Sequence, residues 1–446
     1  MAGIFKSYDI RGTVPAQLST GEAYKIGKAA AHFLKARALG VGRDARVHSP
    51  EIAAALMAGI CSTGCDAVDL GMNPTPMTYY ATGTIKALQG AIQVTASHNP
   101  AEYNGFKMTQ GGAVPMSYDT GIGQIEKLVK LDEPGLSRAR GRIIQKDLRP
   151  GYIRHCRSFA KMKRPLKIAI DTGNGVMGSI LPAMLKGLPL KVVPLYFEPD
   201  GRFPNHEANP LKLENLRDLQ RAVVEKKCDL GAAFDGDGDR VAFVDERGEA
   251  VPGDIAGAMM AQMLLKGHKG ERVLYDVRAS RALPQAIRDA GGMALESRVG
   301  HSHIKAGLRR EKAVMAAELS GHYYFRDFFY SDCGEAAFFL VLSLLSQSDA
   351  TMSELVQPLM RYHHTGEINF EVHDVSKVLQ AVERKYGSQA KAVSKVDGVS
   401  LDLGSWWFNL RMSNTEPVVR LNLESLESRR EMEARRKEVS SLIEKV

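Results

Sequence analysis

Cysteine is scarce in this chain. Five cysteines among 446 residues, an odd number with no C-x-x-C pair, exclude a disulfide framework and a zinc ribbon and fit a reducing compartment. Cys61 and Cys65 are spaced i, i+4 and are expected on one helix as small core residues. Long apolar runs are missing too. The longest, near residues 336–345, falls far short of the ~20 needed to cross a bilayer, and is expected to be a buried helix. Residues 1–12 hold no apolar stretch of signal-peptide length, so the expected location is cytoplasmic, with no membrane contact. No short repeat or low-complexity tract occurs. Nor does a dense Lys/Arg block accompany the formal net charge of +8. Arg429, Arg430, Arg435, Arg436 and Lys437 are interleaved with Glu431, Glu433 and Glu438, as on a solvated helix face. Small anionic substrates explain the surplus equally well, and no nucleic-acid partner is expected.

What is present is a globular balance of 44% hydrophobic and 25% charged residues. At roughly 100–200 residues per domain, 446 residues suggest about three or four domains. Strand-like runs at 67–70, 91–95, 166–171, 191–195, 230–234, 272–277, 294–299 and 314–317 alternate with helical patterns. Those helices are predicted at 21–36, 51–63, 214–227, 283–290 and 335–345, with an apolar helix ending at 185. The alternation predicts α/β units with mostly parallel sheets. The tail differs. Strands at 367–372, 399–403, 405–411 and 418–422 surround a helix at 375–386, and a charged helix from 428 closes the chain, which predicts α+β.

Four motifs carry chemistry. Asp235-Gly-Asp237-Gly-Asp239-Arg240 ends the predicted strand 230–234. Alternate residues of an extended segment point one way, and glycine lets the backbone curl so that three carboxylates converge. Such hard oxygen ligands suit Mg²⁺ or Ca²⁺; a solvated acidic loop is the plain alternative. An EF-hand is excluded: counted from Asp235, Glu246 fits position 12, but Arg240 stands where position 6 needs glycine. An aspartyl-phosphate enzyme, whose nucleophile also follows an apolar strand, stays open. Next comes Thr95-Ala-Ser97-His98-Asn99-Pro100, after the strand 91–95, with Lys107 close behind. A serine at a strand end is exposed on a rigid element, His98 is a donor or proton carrier beside it, and Asn-Pro alone would mark a turn. Arg411-Met-Ser413-Asn414-Thr415-Glu-Pro417 packs an Arg, two hydroxyls and an amide between two strands, a set of donors able to curl round an anion. Glu318-Leu-Ser320-Gly321-His322 puts a carboxylate and a hydroxyl two apart, suited to sugar hydroxyls.

Together these motifs resemble the α-D-phosphohexomutases, and within them the bacterial phosphomannomutase/phosphoglucomutase type. The likeness runs in the family's order from Tyr8-Asp-Ile-Arg11-Gly12 through Gly42-Arg43-Asp44, the Ser97 and Asp235 loops and Gly300-His301-Ser-His-Ile-Lys305 to the Glu318 and Arg411 loops. The resemblance implies three mixed-sheet α/β domains plus a smaller C-terminal α+β domain around one cleft. The expected divisions are 1–149 with the phosphoserine loop, 150–249 with the metal loop, 250–364 with the sugar loop and 365–446 with the phosphate loop. Ser97 would be the phosphoserine. Asp235, Asp237 and Asp239 would hold Mg²⁺ with one phosphoserine oxygen. His98, Lys107, Arg11 and His301 would serve the reacting groups. Tyr8, Arg278, Glu318, Ser320 and His322 would meet the sugar, and Arg411, Ser413, Asn414 and Thr415 its phosphate. Two departures concern substrate preference: Ala317 stands where most members have Gly, and Arg278 where many have Lys.

The implied reaction interconverts hexose 6-phosphate and hexose 1-phosphate of mannose or glucose. With one serine loop and one metal loop there is one chemical centre. A hexose 1,6-bisphosphate must therefore form, turn around and return its other phosphate to Ser97. The C-terminal domain is expected to move as a lid that keeps water out. A glucosamine phosphate mutase is the sibling alternative, disfavoured by Leu319 and Asn414, where it more often has Gln and Gly. A sugar phosphatase using Asp235, or a non-catalytic sugar-phosphate binder, are alternatives of another class. The chain is expected to be a monomer or weak homo-oligomer.

Overall fold

A computed structural model describes residues 3–133, 137, 139–412 and 418–445. It contains four sheets in chain order. The first runs Ile10–Thr13, Tyr103–Gln110, Gly90–Val94, Ala38–Arg43, Asp66–Met72, Ile143–Gln145. Its middle strands are parallel and Tyr103–Gln110 is antiparallel to Gly90–Val94. The second runs Ala250–Val251, Val241–Val244, Leu230–Phe234, Leu166–Asp171, Leu190–Leu195, and the third Met293–Ser297, Arg272–Asp276, Met315–Ala317, Tyr323–Phe325, Ser331–Asp332. These three α/β sheets share one device. In each, a buried parallel strand gives way to a loop and then to an antiparallel neighbour: Gly90–Val94 to Tyr103–Gln110, Leu230–Phe234 to Val241–Val244, Met315–Ala317 to Tyr323–Phe325. The three connecting loops are those of Ser97, Asp235 and Glu318. A reactive loop pinned at both ends by ladder hydrogen bonds is held more firmly than a free one.

The fourth sheet is antiparallel throughout, His363–Glu371, Val418–Ser425, Trp406–Met412, Val399–Asp402, Ala392–Ser394. Helices Val375–Tyr386 and Arg429–Ile443 share its core through Val378, Val382, Val439 and Ile443. The expected α+β character of the tail is therefore what the fold has.

Close packing explains several glycines. Helices Thr20–Phe33 and Ser49–Ser62 touch backbone to backbone: a Cβ on Gly27 would stand 2.2 Å from Leu56 O, and one on Gly59 2.0 Å from Tyr24 O. The second helix ends at Ser62 with Thr63 as its C-cap, and Gly64 turns away at φ +86°. Cys65 is thus beyond the helix, a correction to the expected i, i+4 pair, although Cys61 and Cys65 are both buried. The predicted helix 214–227 begins as the short turn Leu213–Leu216 before the α-helix Arg217–Lys226.

One apolar core runs through the second and third domains, joining Ile168 and Phe234 to Val273, Tyr323 and Phe338. Helix Gly334–Ser346 is buried on nearly every face within it, as its uniform hydrophobicity requires. Among the described residues no helix is long and apolar enough to cross a membrane. At the helix start sits Glu335, fully buried, with Tyr152 Oη donating to its Oε1 at 2.6 Å. Burial pushes its carboxyl up to about 7. A raised carboxyl stabilises the fold fully below the unfolded value of about 4.3 and loses that contribution as pH rises through the folded value. Glu335→Gln, which is neutral at all pH, should therefore melt above the parent at pH 8.5, by an advantage worth about 3 kcal/mol. That advantage should vanish by pH 4.5. A melting difference independent of pH would show that Glu335 does not titrate in the fold.

Candidate active site

Ser97 is fully buried and holds φ +53°, a left-handed conformation that costs a non-glycine residue and is kept only where surroundings impose it. Its N–H donates to Thr95 Oγ1 at 2.9 Å, and its Oγ donates to Asp235 Oδ2 at 2.7 Å. His98 Nδ1 lies 3.2 Å from the same Oγ. Burial, with Arg240, Arg11 and Lys107 nearby, holds the His98 imidazole well below its ordinary value, so it is neutral.

Asp235, Asp237 and Asp239 converge as the alternation predicted, each offering an oxygen within 4.8 Å of the others. Gly238 at φ +75° makes the curl; a Cβ there would stand 2.4 Å from Met177 sulfur. Thr75 Oγ1 donates to Asp237 Oδ2 at 2.5 Å, and Lys107 Nζ to the same oxygen at 2.8 Å and to Asp239. Burial and the neighbouring Asp237 and Asp239 push the Asp235 carboxyl up. Burial opposes the charge on Asp239 also, but Lys107 and His322 hold it well below the usual range. Asp237 Oδ1 and Asp239 Oδ1 are buried without a hydrogen-bond partner. His322 Nε2 lies 3.4 Å from Asp239 Oδ1, and three converging carboxylates with Asp237 Oδ1 left unpartnered fit a hard divalent cation.

Other cations ring this centre. Arg240 N–H donates to Asp235 Oδ1 at 3.2 Å, and its Nε lies 3.2 Å from His322 Nε2, so the metal loop meets the sugar loop. Arg11 pairs with Asp9 at 2.7 Å and donates to Asn99 of the Ser97 loop. His301 begins the helix His301–Glu311, its ring edge-on to Tyr8 at 5.8 Å and stacked on His322 at 6.4 Å. Both its ring nitrogens are buried without a partner, and burial with Lys305 and Lys107 holds it neutral.

Glu318 accepts from Ser320 Oγ at 3.1 Å, from Arg278 Nη2 at 3.3 Å and from Tyr324. Arg278 is itself clamped to Asp276, with Nη2 to Oδ2 at 2.7 Å. The Ala317 methyl faces Gly257, where a Cβ would stand 2.5 Å from it, so the departure from Gly is absorbed by a second glycine. Arg411 lies in the fourth sheet and donates to Glu367 at 2.9 Å. Ser413, Asn414 and Thr415 fall outside the described residues. Thr75, Tyr324 and Glu367 were not among the sequence candidates; Thr75 and Glu367 reach the site from distant elements, and Tyr324 sits on the strand just after the Glu318 loop, where an aromatic reads as core.

The four family sequence descriptions that match this chain follow its order: "Phosphoglucomutase/phosphomannomutase, alpha/beta/alpha domain I" over residues 2–134, domain II over 150–248, domain III over 252–362, and the C-terminal domain over 367–442. The chain belongs to the phosphoglucomutase/phosphomannomutase family. It is 38% identical to the phosphomannomutase of Escherichia coli (strain K12), covering 98% of each chain. It is likewise 38% identical to a protein named phosphohexose mutases from Xanthomonas campestris pv. campestris, again over 98% of each. Among solved structures, a family protein from Burkholderia thailandensis superposes with a TM-score of 0.91 at 32% identity, covering 98% of this chain and 96% of that one. The chain is accordingly an isomerase, a hexose phosphate mutase, and the resemblance read from its motifs stands. Its four-domain α/β architecture is the family's.

Proposed function

We propose that Ser97 carries the phosphoryl group and exchanges it with mannose and glucose phosphates at both sugar positions. The observation that carries this reading is Ser97 Oγ, 2.7 Å from Asp235 on a strained backbone, facing the acidic loop. A phosphoserine carries about −1.5 to −2 charge and would be repelled by three carboxylates alone. Mg²⁺ held by Asp235, Asp237 and Asp239 would draw charge off the phosphoryl oxygens. Arg11, Lys107 and Arg240 supply the remaining positive field. The free hydroxyl of the hexose phosphate attacks phosphorus, forming one P–O bond as the Ser97 Oγ–P bond breaks. Neutral His301, with both ring nitrogens unpartnered, is the group suited to take the hydroxyl proton. Ser97 Oγ keeps the electrons of the broken bond and takes up the proton that His301 received, while neutral His98, with Nδ1 at 3.2 Å, orients that oxygen by a hydrogen bond and gives up no proton of its own. The bisphosphate then turns, and its other phosphate goes back to Ser97.

In this reading Arg411 with Ser413, Asn414 and Thr415 holds whichever phosphate is distal, and Tyr8, Arg278 and His322 line the sugar. The domains divide at 149, 249 and 364, and the protein works in the cytoplasm as a monomer or weak homo-oligomer without nucleic acid or membrane. Hexose 1,6-bisphosphate primes dephosphorylated enzyme. The test is a mutase assay on mannose, glucose and glucosamine phosphates with a bisphosphate activator. Turnover of glucosamine phosphate alone would move the assignment to the sibling activity.

Dual specificity follows from the two-way binding. Hydroxyls 3 and 4 exchange places when the sugar turns, and Glu318 with Ser320 suits that pair. The C2 hydroxyl, where mannose and glucose differ, then meets no fixed partner in both orientations. The kcat/KM ratio for the two 1-phosphates should stay under about 10²; a ratio beyond about 10³ would mean that C2 is read by a fixed partner.

A further inference from the structure

The grip on the Ser97 loop comes from outside it. Arg46 follows the Gly42-Arg43-Asp44 segment and is 1% exposed. A guanidinium has five N–H groups, and here each has an acceptor. Nε donates to Asp44 Oδ2 at 3.2 Å. Nη1 donates to Pro100 O at 2.6 Å and Tyr103 O at 3.0 Å, and Nη2 to Ser97 O at 2.9 Å and Asn99 O at 2.6 Å. The carbonyls of Ser97, Asn99, Pro100 and Tyr103 thus turn toward a single cation, which gathers acceptors from the 97–103 backbone into one plane. The second domain seals the arrangement. Phe203 lies over the guanidinium at 5.1 Å, and a Cβ on Gly201 would stand 2.4 Å from Ala45 O. From the other side the metal loop closes in, where a Cβ on Gly236 would stand 2.5 Å from Ser97 O.

We propose that Arg46 is a positioning residue for phosphoryl transfer, holding Ser97 in its left-handed conformation with Oγ aimed at Asp235 and tying that aim to the second domain through Phe203. The proposal rests on Ser97 as the phosphoryl carrier. Arg46 has its five donors committed within the protein, so it acts on the chemical step and not on substrate affinity. Lysine has three donors and no plane, so it cannot gather the same carbonyls.

The experiment compares the parent, Arg46→Lys, Phe203→Leu and Ser97→Ala, using a radiolabelled hexose bisphosphate to load phosphate. A misaimed nucleophile should lower kcat of Arg46→Lys by about 30-fold with KM for mannose 1-phosphate within about 2-fold. Loaded phosphate should also be lost to water faster than in the parent. A folded Arg46→Lys with parental kcat, or with a loss confined to KM, overturns the proposal. If circular dichroism shows Arg46→Lys unfolded, Phe203→Leu decides, since it leaves all five hydrogen bonds in place. Its kcat should fall about 3-fold at constant KM, and a parental kcat there overturns the proposal. Label retained in Ser97→Ala would instead remove the phosphoserine reading beneath it.

Discussion

Ser97→Ala should lose mutase turnover by about 10⁴-fold or more and carry no acid-stable phosphate after incubation with a hexose bisphosphate. The reason is that, among the described residues, no second hydroxyl at the acidic loop is suited to replace it. Thr75, the other hydroxyl there, is fully buried and spends its proton on Asp237 Oδ2 at 2.5 Å. The variant should fold. Alanine tolerates φ +53° no worse than serine, and Arg46 still holds the loop by its carbonyls. Its cost is the bond to Asp235, which leaves a buried carboxyl oxygen unpaired for about 1–3 kcal/mol. Melting therefore separates a dead enzyme from an unfolded one. The rival chemistry, with Asp235 as nucleophile, predicts the opposite. An acyl phosphate is cleaved by hydroxylamine and would persist without Ser97, so hydroxylamine-labile label in Ser97→Ala would sink the phosphoserine reading.

The sequence made the strands legible where they are buried on both sides. Leu166–Asp171 and Leu230–Phe234 fall at their predicted bounds because parallel strands in an α/β sheet read as continuous apolar runs. Helix Val375–Tyr386 was equally plain, since only one face of it is buried. The strand Tyr103–Gln110 escaped notice. It is buried along most of its length, yet it carries Asn104, Lys107 and Thr109, so neither an apolar run nor an alternation marks it. Its polarity is functional: Asn104 bonds Ser49, and Lys107 reaches the metal loop. Helix Gly253–Leu265 was missed for the reverse reason, being apolar nearly all round and so without a period. In the site, the residues found were those whose chemistry is written in a short motif. Arg46 and Thr75 were not, because the loop carbonyls that Arg46 binds begin 51 residues on and the carboxylate that Thr75 binds is 162 residues away. Glu367 likewise pairs with Arg411 and Arg420, brought beside it by an antiparallel sheet.

Asp237→Asn should lower kcat by about 10²–10³-fold while KM for hexose phosphate stays within about 3-fold. Asp237 is fully buried and faces other protein groups: Oδ2 accepts from Thr75 and Lys107, and Oδ1 is left unpartnered toward the other carboxylates. Amidation keeps the shape but removes the charge and replaces one of the two oxygens by an NH2 group, leaving a neutral, weaker ligand. Two effects then run together. Mg²⁺ should bind less tightly, so the variant needs more of it for half-maximal rate. Lys107 keeps Asp239 as a carboxylate partner but loses Asp237, and its ammonium is freed to compete with the cation for the site. Charge moves between oxygens at this centre during transfer, so the transition state loses more than the bound substrate does. Thr75→Val separates geometry from charge, since it removes the hydroxyl bond and leaves the carboxylate; its kcat should fall by about 10-fold or less. An Asp237→Asn enzyme with parental kcat and parental Mg²⁺ dependence would mean that the three aspartates build the loop and do not serve the reaction.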